Sequence, residues 1–177
     1  MRKFFSSMIA LSLAITAAAQ PVPPGGAAGG PFARMPVDQA PGGTLEKPTI
    51  SARGAQMMVD AIVSAATAKR EAVSISIVDA GGNLLLFKRM DGADLGSAQA
   101  AMNKAFSALK LQSPTGVFMD MLNKNPALAQ GFISAGFTIL GGGEPIRAHG
   151  QVVGAIAVSG GGRDQYYIDI GQKAFRP

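Results

Sequence analysis

Residues 141–165 read GGGEPIRAHGQVVGAIAVSGGGRDQ. Two extended runs, 145–148 and 151–159, are separated only by His149-Gly150, a dipeptide suited to the positive φ of a tight hairpin turn. Strands joined so closely can only be antiparallel, because a parallel crossover needs a dozen residues or more. Upstream, residues 73–92 (VSISIVDAGGNLLLFKRMDG) alternate with period two, break at Ala80-Gly81-Gly82-Asn83 and resume, which is a second hairpin. A further short strand is expected over residues 137–140. Helices are expected around this framework. One is capped by Thr49 or Ser51 and ends near Arg70, with Ala55, Met58, Val59, Ile62 and Ala66 on one face. A second starts at Ser97 and carries Ala98, Ala101, Met102, Ala105 and Leu109. A short one follows Pro114, and a last one spans about 163–173. The order predicts an α+β domain with helices packed on the faces of a five-stranded antiparallel sheet, and disfavours a doubly wound nucleotide fold.

The remaining chain sets the context. Residues 1–19 place Arg2 and Lys3 before an apolar stretch from Phe4 to about Thr16, then Ala17 and Ala19, the layout of a secretory signal cut after Ala19. The protein is therefore expected to be exported, to the periplasm or beyond, with no integral membrane segment in the mature chain. Residues 20–48 are rich in proline and glycine and poor in large apolar side chains, a linker composition, and residues 49–177 form one domain. With no cysteine, disulfides, thiolate catalysis and Cys-based metal sites are excluded. Losing Arg2 and Lys3 lowers the formal net charge from +5 to +3. The other basic residues are scattered, so no nucleic-acid footprint is indicated.

Several residues could carry chemistry. Ser159, Gly160, Gly161 and Gly162 lie between a strand and a helix start, where unpaired backbone N–H groups and the helix dipole favour an anion. Arg163 adds a guanidinium donor there, and Asp164 is a helix-start acceptor. The same glycines could equally serve only the turn. Gly142 and Gly143 provide a bulge or crossing before a strand, with Glu144 beside them as a candidate general base. Arg89, Asp91, Asp94 and Lys104 could line a pocket rim that orients a small acid, or pair among themselves and with water. His149, the sole histidine, sits at the hairpin tip, and one imidazole cannot build a zinc site, so no metal site is evident. It and the two tyrosines, Tyr166 and Tyr167, are the candidate haem-iron ligands.

Taken together, IVDAGGNLLLFKRMDGA, the Lys104-Ala105 step, LGGGEPI and HGQVVGAIAVSGG followed by Asp164 resemble the GlcG/HbpS family of haem-binding, haem-degrading-type domains. They also resemble the C-terminal domain of some corrinoid adenosyltransferases. The similarity spans nearly all of residues 51–175. It implies a profilin-like three-layer domain, assembly into homo-oligomers, and haem or a related small ligand. Two departures stand out. Asn83 stands where relatives often carry His, and the tail DQYYIDIGQKAF differs from an Ala-rich ending, leaving Asp164 as the match. Three functions are open at this point. The first is a small-ligand binder with haem or a small organic acid held at Arg89, Gly142–Gly143 and residues 159–164. The second is an enzyme on a small hydroxy acid or corrinoid-like ligand, using Glu144 or Asp91 as base and Lys104 or Arg89 as anion clamp. The third is an assembly module with a vestigial pocket.

Overall fold

In a computed structural model, residues 46–176 are described. The expected secretory signal, and the expected linker up to residue 45, lie outside the described residues. Ser51 accepts a hydrogen bond from the Gly54 N–H and starts helix α1 (Ala52–Ala68), which buries Ala55, Met58, Val59, Ile62 and Ala66 as its periodicity requires. Strands β1 (Ser74–Asp79) and β2 (Leu84–Arg89) form the first hairpin. Asp79 accepts from the backbone N–H groups of Gly81 and Asn83, and the Asn83 amide donates to the same carboxylate at 3.0 Å. These bonds hold the Asp79 carboxyl below its usual range, the Asn83 side chain contributing most. The Asn83 side chain therefore ties the turn.

Helix α2 (Leu95–Leu111) begins earlier than Ser97, because Asp94 is its cap: the Asp94 carboxylate accepts the Ser97 N–H at 2.7 Å, while the Ser97 hydroxyl donates back to the Asp94 carbonyl. Helix α3 (Thr115–Lys124) follows Pro114 as expected, and helix α4 (Pro126–Ser134), with proline in its first turn, was not read from the sequence. Strands β3 (Gly143–Ala148) and β4 (Gln151–Ser159) make the second hairpin, with His149 at φ +48 and Gly150 at φ +79 in its turn, and helix α5 (Asp164–Ala174) ends the fold. None of the described helices is long and apolar enough to cross a membrane.

The sheet has four strands among the described residues, in the order β2-β1-β4-β3, every pair antiparallel. The expected strand over 137–140 is not one of them. Phe137 instead packs its ring edge-on to Phe132 at 5.5 Å and beside Phe118, and its N–H caps α4 by donating to the Phe132 carbonyl. The Thr138 N–H goes to the Ser107 hydroxyl and the Leu140 N–H to the Thr138 hydroxyl. With those donors met by a helix end and side chains, the segment has no need of a ladder. Phe137 serves a small separate cluster of Leu111, Phe118 and Leu122, while Ile139 and Leu140 stay exposed.

The two faces of the sheet differ in side-chain size. Ile75, Ile77, Ile156 and Val158 point to α1 and α5 and join Met58, Ile62, Tyr167 and Ile168 in the main core. The opposite face presents Ser74, Ser76, Ala155 and Ala157, and α2 lays Ala101, Ala105 and Ala108 against it. Small residues on both sides bring α2 close. A Cβ on Gly143 would lie 2.6 Å from the Lys104 carbonyl, and one on Gly154 would lie 2.5 Å from the Val78 carbonyl and 2.8 Å from Ile50. Gly154→Ala should therefore destabilise the fold by about 1 to 3 kcal/mol. Gly131→Ala, in α4 with open space around it, should be neutral or slightly stabilising. Chemical denaturation of both variants checks this; equal midpoints would remove the close-approach argument.

Candidate functional site

The two glycine segments of the sequence meet at Lys104. Gly143 lets α2 press onto the start of β3, and from there the Lys104 side chain runs to the end of β4. Its ammonium, almost wholly buried, lies 2.7 Å from Asp164 Oδ2 and 3.2 Å from both the Ser159 hydroxyl and the Val158 carbonyl. An ammonium has three donors, and here it has three acceptors. Gly142, at φ +95, leaves room for Asp164, whose Cβ would stand 2.8 Å from a side chain at that position. Around this centre the Gly143 N–H donates to the Thr115 hydroxyl, and the Gly142 carbonyl accepts from the Val158 N–H. Asp164 also sits in the first turn of α5, where the helix dipole favours a carboxylate. The group joins α2, β4 and α5 through one buried ion pair. Asp164 Oδ1 is buried without a partner among the described residues.

At the second glycine triplet the structure supplies a carboxylate of its own. Arg163 pairs with Glu71 at 3.0 Å, and the Tyr167 hydroxyl donates to the other Glu71 oxygen at 2.6 Å. That oxygen stands 3.1 Å from where a Gly161 side chain would begin. Gly160 and Gly162 take φ of +122 and +67, so the turn does require them. Tyr167 is fully buried, with the exposed Tyr166 ring edge-on to it at 5.2 Å and the Lys69 ammonium above Tyr166. Burial first, and then the hydrogen bond to Glu71, push the Tyr167 phenol up to about 12.

The other polar candidates are dispersed. Arg89 donates twice to the Ala93 carbonyl, Asp94 caps α2, Asp91 is exposed, and Lys104 is committed to Asp164, so these four do not form one rim. Glu144 accepts from Gln165, which also donates to Asp169. Burial, aided by the Asp169 charge, raises the Glu144 carboxyl above its usual range, against the lowering effect of Gln165.

His149 borders a cavity of about 500 Å³ between the second hairpin, the N-terminal turn of α1 and the end of the chain. Ile50, Met57, Val153 and Phe175 give it apolar walls, and Arg53 and Arg176 bring two guanidinium groups. The Ile50 N–H donates to the Val153 carbonyl and so fixes one wall. Sequence reading singled out only His149 of this set. Arg53 and Met57, one helical turn apart, were the available signal for a shared outward face of α1. Among the described residues no group of three or more His, Asp or Glu side chains could hold a bare metal ion.

Two measurements test these arrangements. Lys104→Met strands the Asp164 carboxylate and should cost about 3 kcal/mol or more, with much of the loss recovered in Lys104→Met/Asp164→Leu. Additive losses in a denaturation cycle would show that the two groups are not coupled. For Tyr167, the native phenol titrates higher than the unfolded one. Its stabilising share is complete below the unfolded value near 10 and is lost as pH rises toward about 12. The parent should lose stability over that interval and Tyr167→Phe should lose less; parallel profiles would remove the linkage.

The family model described as haem degrading protein HbpS-like matches residues 50–166. An uncharacterized 15.0 kDa protein from a dhaT-dhaS intergenic region of Citrobacter freundii is 36% identical over 119 residues, 66% of this chain and 84% of that one. The crystal structure of HbpS superposes with a TM-score of 0.70 at 30% identity, covering 80% of this chain and all of that one. That of a PduOC:heme complex gives 0.62 at 27% identity, over 72% and 93%. With the model matched over most of its length and the same α+β architecture in its solved relatives, the chain belongs to the HbpS-like family.

Proposed function

We propose that this protein is an exported haem-binding protein, and that the haem lies in the cavity bordered by His149. The observation that carries this reading is a coincidence of chemistry: the chain's sole imidazole shares one cavity with two guanidinium groups and four apolar side chains. Haem asks for that combination. An imidazole nitrogen can ligate its iron, arginines can pair with its propionates, and apolar walls can cover the macrocycle. The cavity's volume also falls within the range of about 300 to 1,000 Å³ usual for small-molecule sites. The family description and the haem complex of a structural relative point the same way. In this reading Arg163 is a structural residue held by Glu71. Residues 1–19 direct export, and copies of the mature chain assemble with one another.

Absorption titration of the full-length mature chain with haem tests the placement. The parent should develop a shifted Soret band that His149→Ala lacks. Arg53→Gln/Arg176→Gln should weaken binding by roughly ten- to a hundredfold, the loss of one or two charge-assisted contacts. Arg163→Ala should bind as the parent does. A His149→Ala variant with the parent's spectrum, or an Arg163→Ala variant that fails to bind, would move the site.

A further inference from the structure

The sheet ends on two edges, and they are built differently. At β3 the Val158 N–H donates to the Gly142 carbonyl, so the alternation of the ladder turns Gly143 and Pro145 outward. There the Gly143 N–H donates to the Thr115 hydroxyl, the Pro145 carbonyl accepts from the Gln172 amide, and Pro145 has no N–H to offer. Glu144 and Arg147 add charge along the same strand. This edge is closed to a further strand.

β2 has none of these devices along its outer side. The Met90 N–H donates to the Val73 carbonyl, and Lys88 and Leu86 lie opposite Ile75 and Ile77 in the same alternation. The N–H and carbonyl of Phe87 therefore point away from β1, and no strand covers that side among the described residues. The bulge opposite Ile77 and Val78 lies at the hairpin end and leaves residues 86–89 in unbroken register. Leu84-Leu85-Leu86-Phe87 carries neither proline nor charge. Leu84, 52% exposed, and Phe87, 36% exposed, sit opposite Val78 and Ser76 and so share the face on which α2 lies. Phe106 of α2 is exposed too, and with Leu84 and Met102 it borders a shallow, open depression beside the strand.

An open apolar edge is a template for another strand. We infer that the outer side of β2 is a two-fold interface, on which β2 of a second copy lies antiparallel and joins two four-stranded sheets into one, a reading that rests on the assembly of copies proposed above. The edge is complementary to itself. About a two-fold axis each copy makes the same contacts, so Leu84 and Phe87 continue into the partner's Leu84 and Phe87 on one face, where aromatic and aliphatic cross-strand pairs stabilise a ladder. Charge selects the antiparallel sense. β2 ends on Lys88 and Arg89, while the turn before it holds the Asp79 carboxylate, so antiparallel pairing brings the basic end of each strand toward the acidic turn of the other. A parallel pair would set Lys88 beside the partner's Lys88. The chain's own residues 20–45 match the edge poorly, being rich in proline, which supplies no ladder donor.

Sedimentation velocity of the mature chain, residues 20–177, over a dilution series tests the face. The parent should sediment as an assembly of even order at micromolar concentration. Phe87→Lys sets like charges across the axis and should raise the dissociation constant roughly a hundredfold, giving particles of half the parent's mass or less. Leu84→Lys, at a more exposed position, should do the same, and both variants should keep the parent's circular dichroism. Val117→Lys, on the exposed side of α3, should leave the mass unchanged. A parent that is monomeric throughout would overturn this face together with the assembly it rests on. An assembled parent whose mass survives both β2 substitutions would overturn the face alone, as would dissociation by Val117→Lys without dissociation by Phe87→Lys.

Discussion

The ion pair between Lys104 and Asp164 is the constraint to which the rest of the structure conforms. A buried ammonium must find acceptors in the protein, and it finds them where β4 ends and α5 begins. To reach that point α2 has to lie close to the sheet, which explains glycine at 143 and the run of Ala and Ser on both contacting surfaces. To receive Asp164 the chain before β3 must carry no side chain at 142, and the turn before Asp164 must pass through positive φ at 160 and 162. Both glycine segments are thus explained by one charge and its counter-charge. The pair is a device of position: it sets where α2 and α5 sit against the end of β4.

The architecture was largely legible because its signals are local. Period-two alternation in 73–77, the glycine break at 80–83 and the His149-Gly150 turn each dictate geometry within a few residues, and the two hairpins formed where they were read. The fifth strand failed for a local reason as well. The apolar residues of 137–140 carry no periodicity long enough to separate a strand from a loop that packs on a helix pair, and Phe137 serves Phe118 and Phe132. Helix α4 was missed because its residues from 126 to 134 bury none of their number fully and so show no clear apolar stripe.

Site residues were harder to read, since their roles are set by partners distant in sequence. Lys104 falls on the buried stripe of α2 with Ala101, Ala105 and Ala108, yet a lysine in that register looks like a surface charge until Asp164 is known to face it. Arg163 reads as a free anion donor until Glu71 is brought beside it. The cavity at His149 exists only because the start of α1 and the end of the chain converge on the second hairpin. No motif encodes that convergence.

The strand order carries a consequence for how the protein comes to be folded. β1 and β4 occupy the middle of the sheet and pair Ser74 with Ser159, so the ladder on which both faces rest joins two strands that three helices and both hairpin partners separate. Closing a loop of that length must precede most of the core, which makes assembly governed by topology and slow relative to a helical bundle of equal size. Until β4 arrives, Ile75 and Ile77 have only β2 beside them, and the emerging chain presents an apolar strand with an unpaired edge. The edge of β1 that β4 covers in the finished sheet is thus satisfied only by a segment about seventy residues away, so the most apolar strand pairing of the fold is also one of its most non-local.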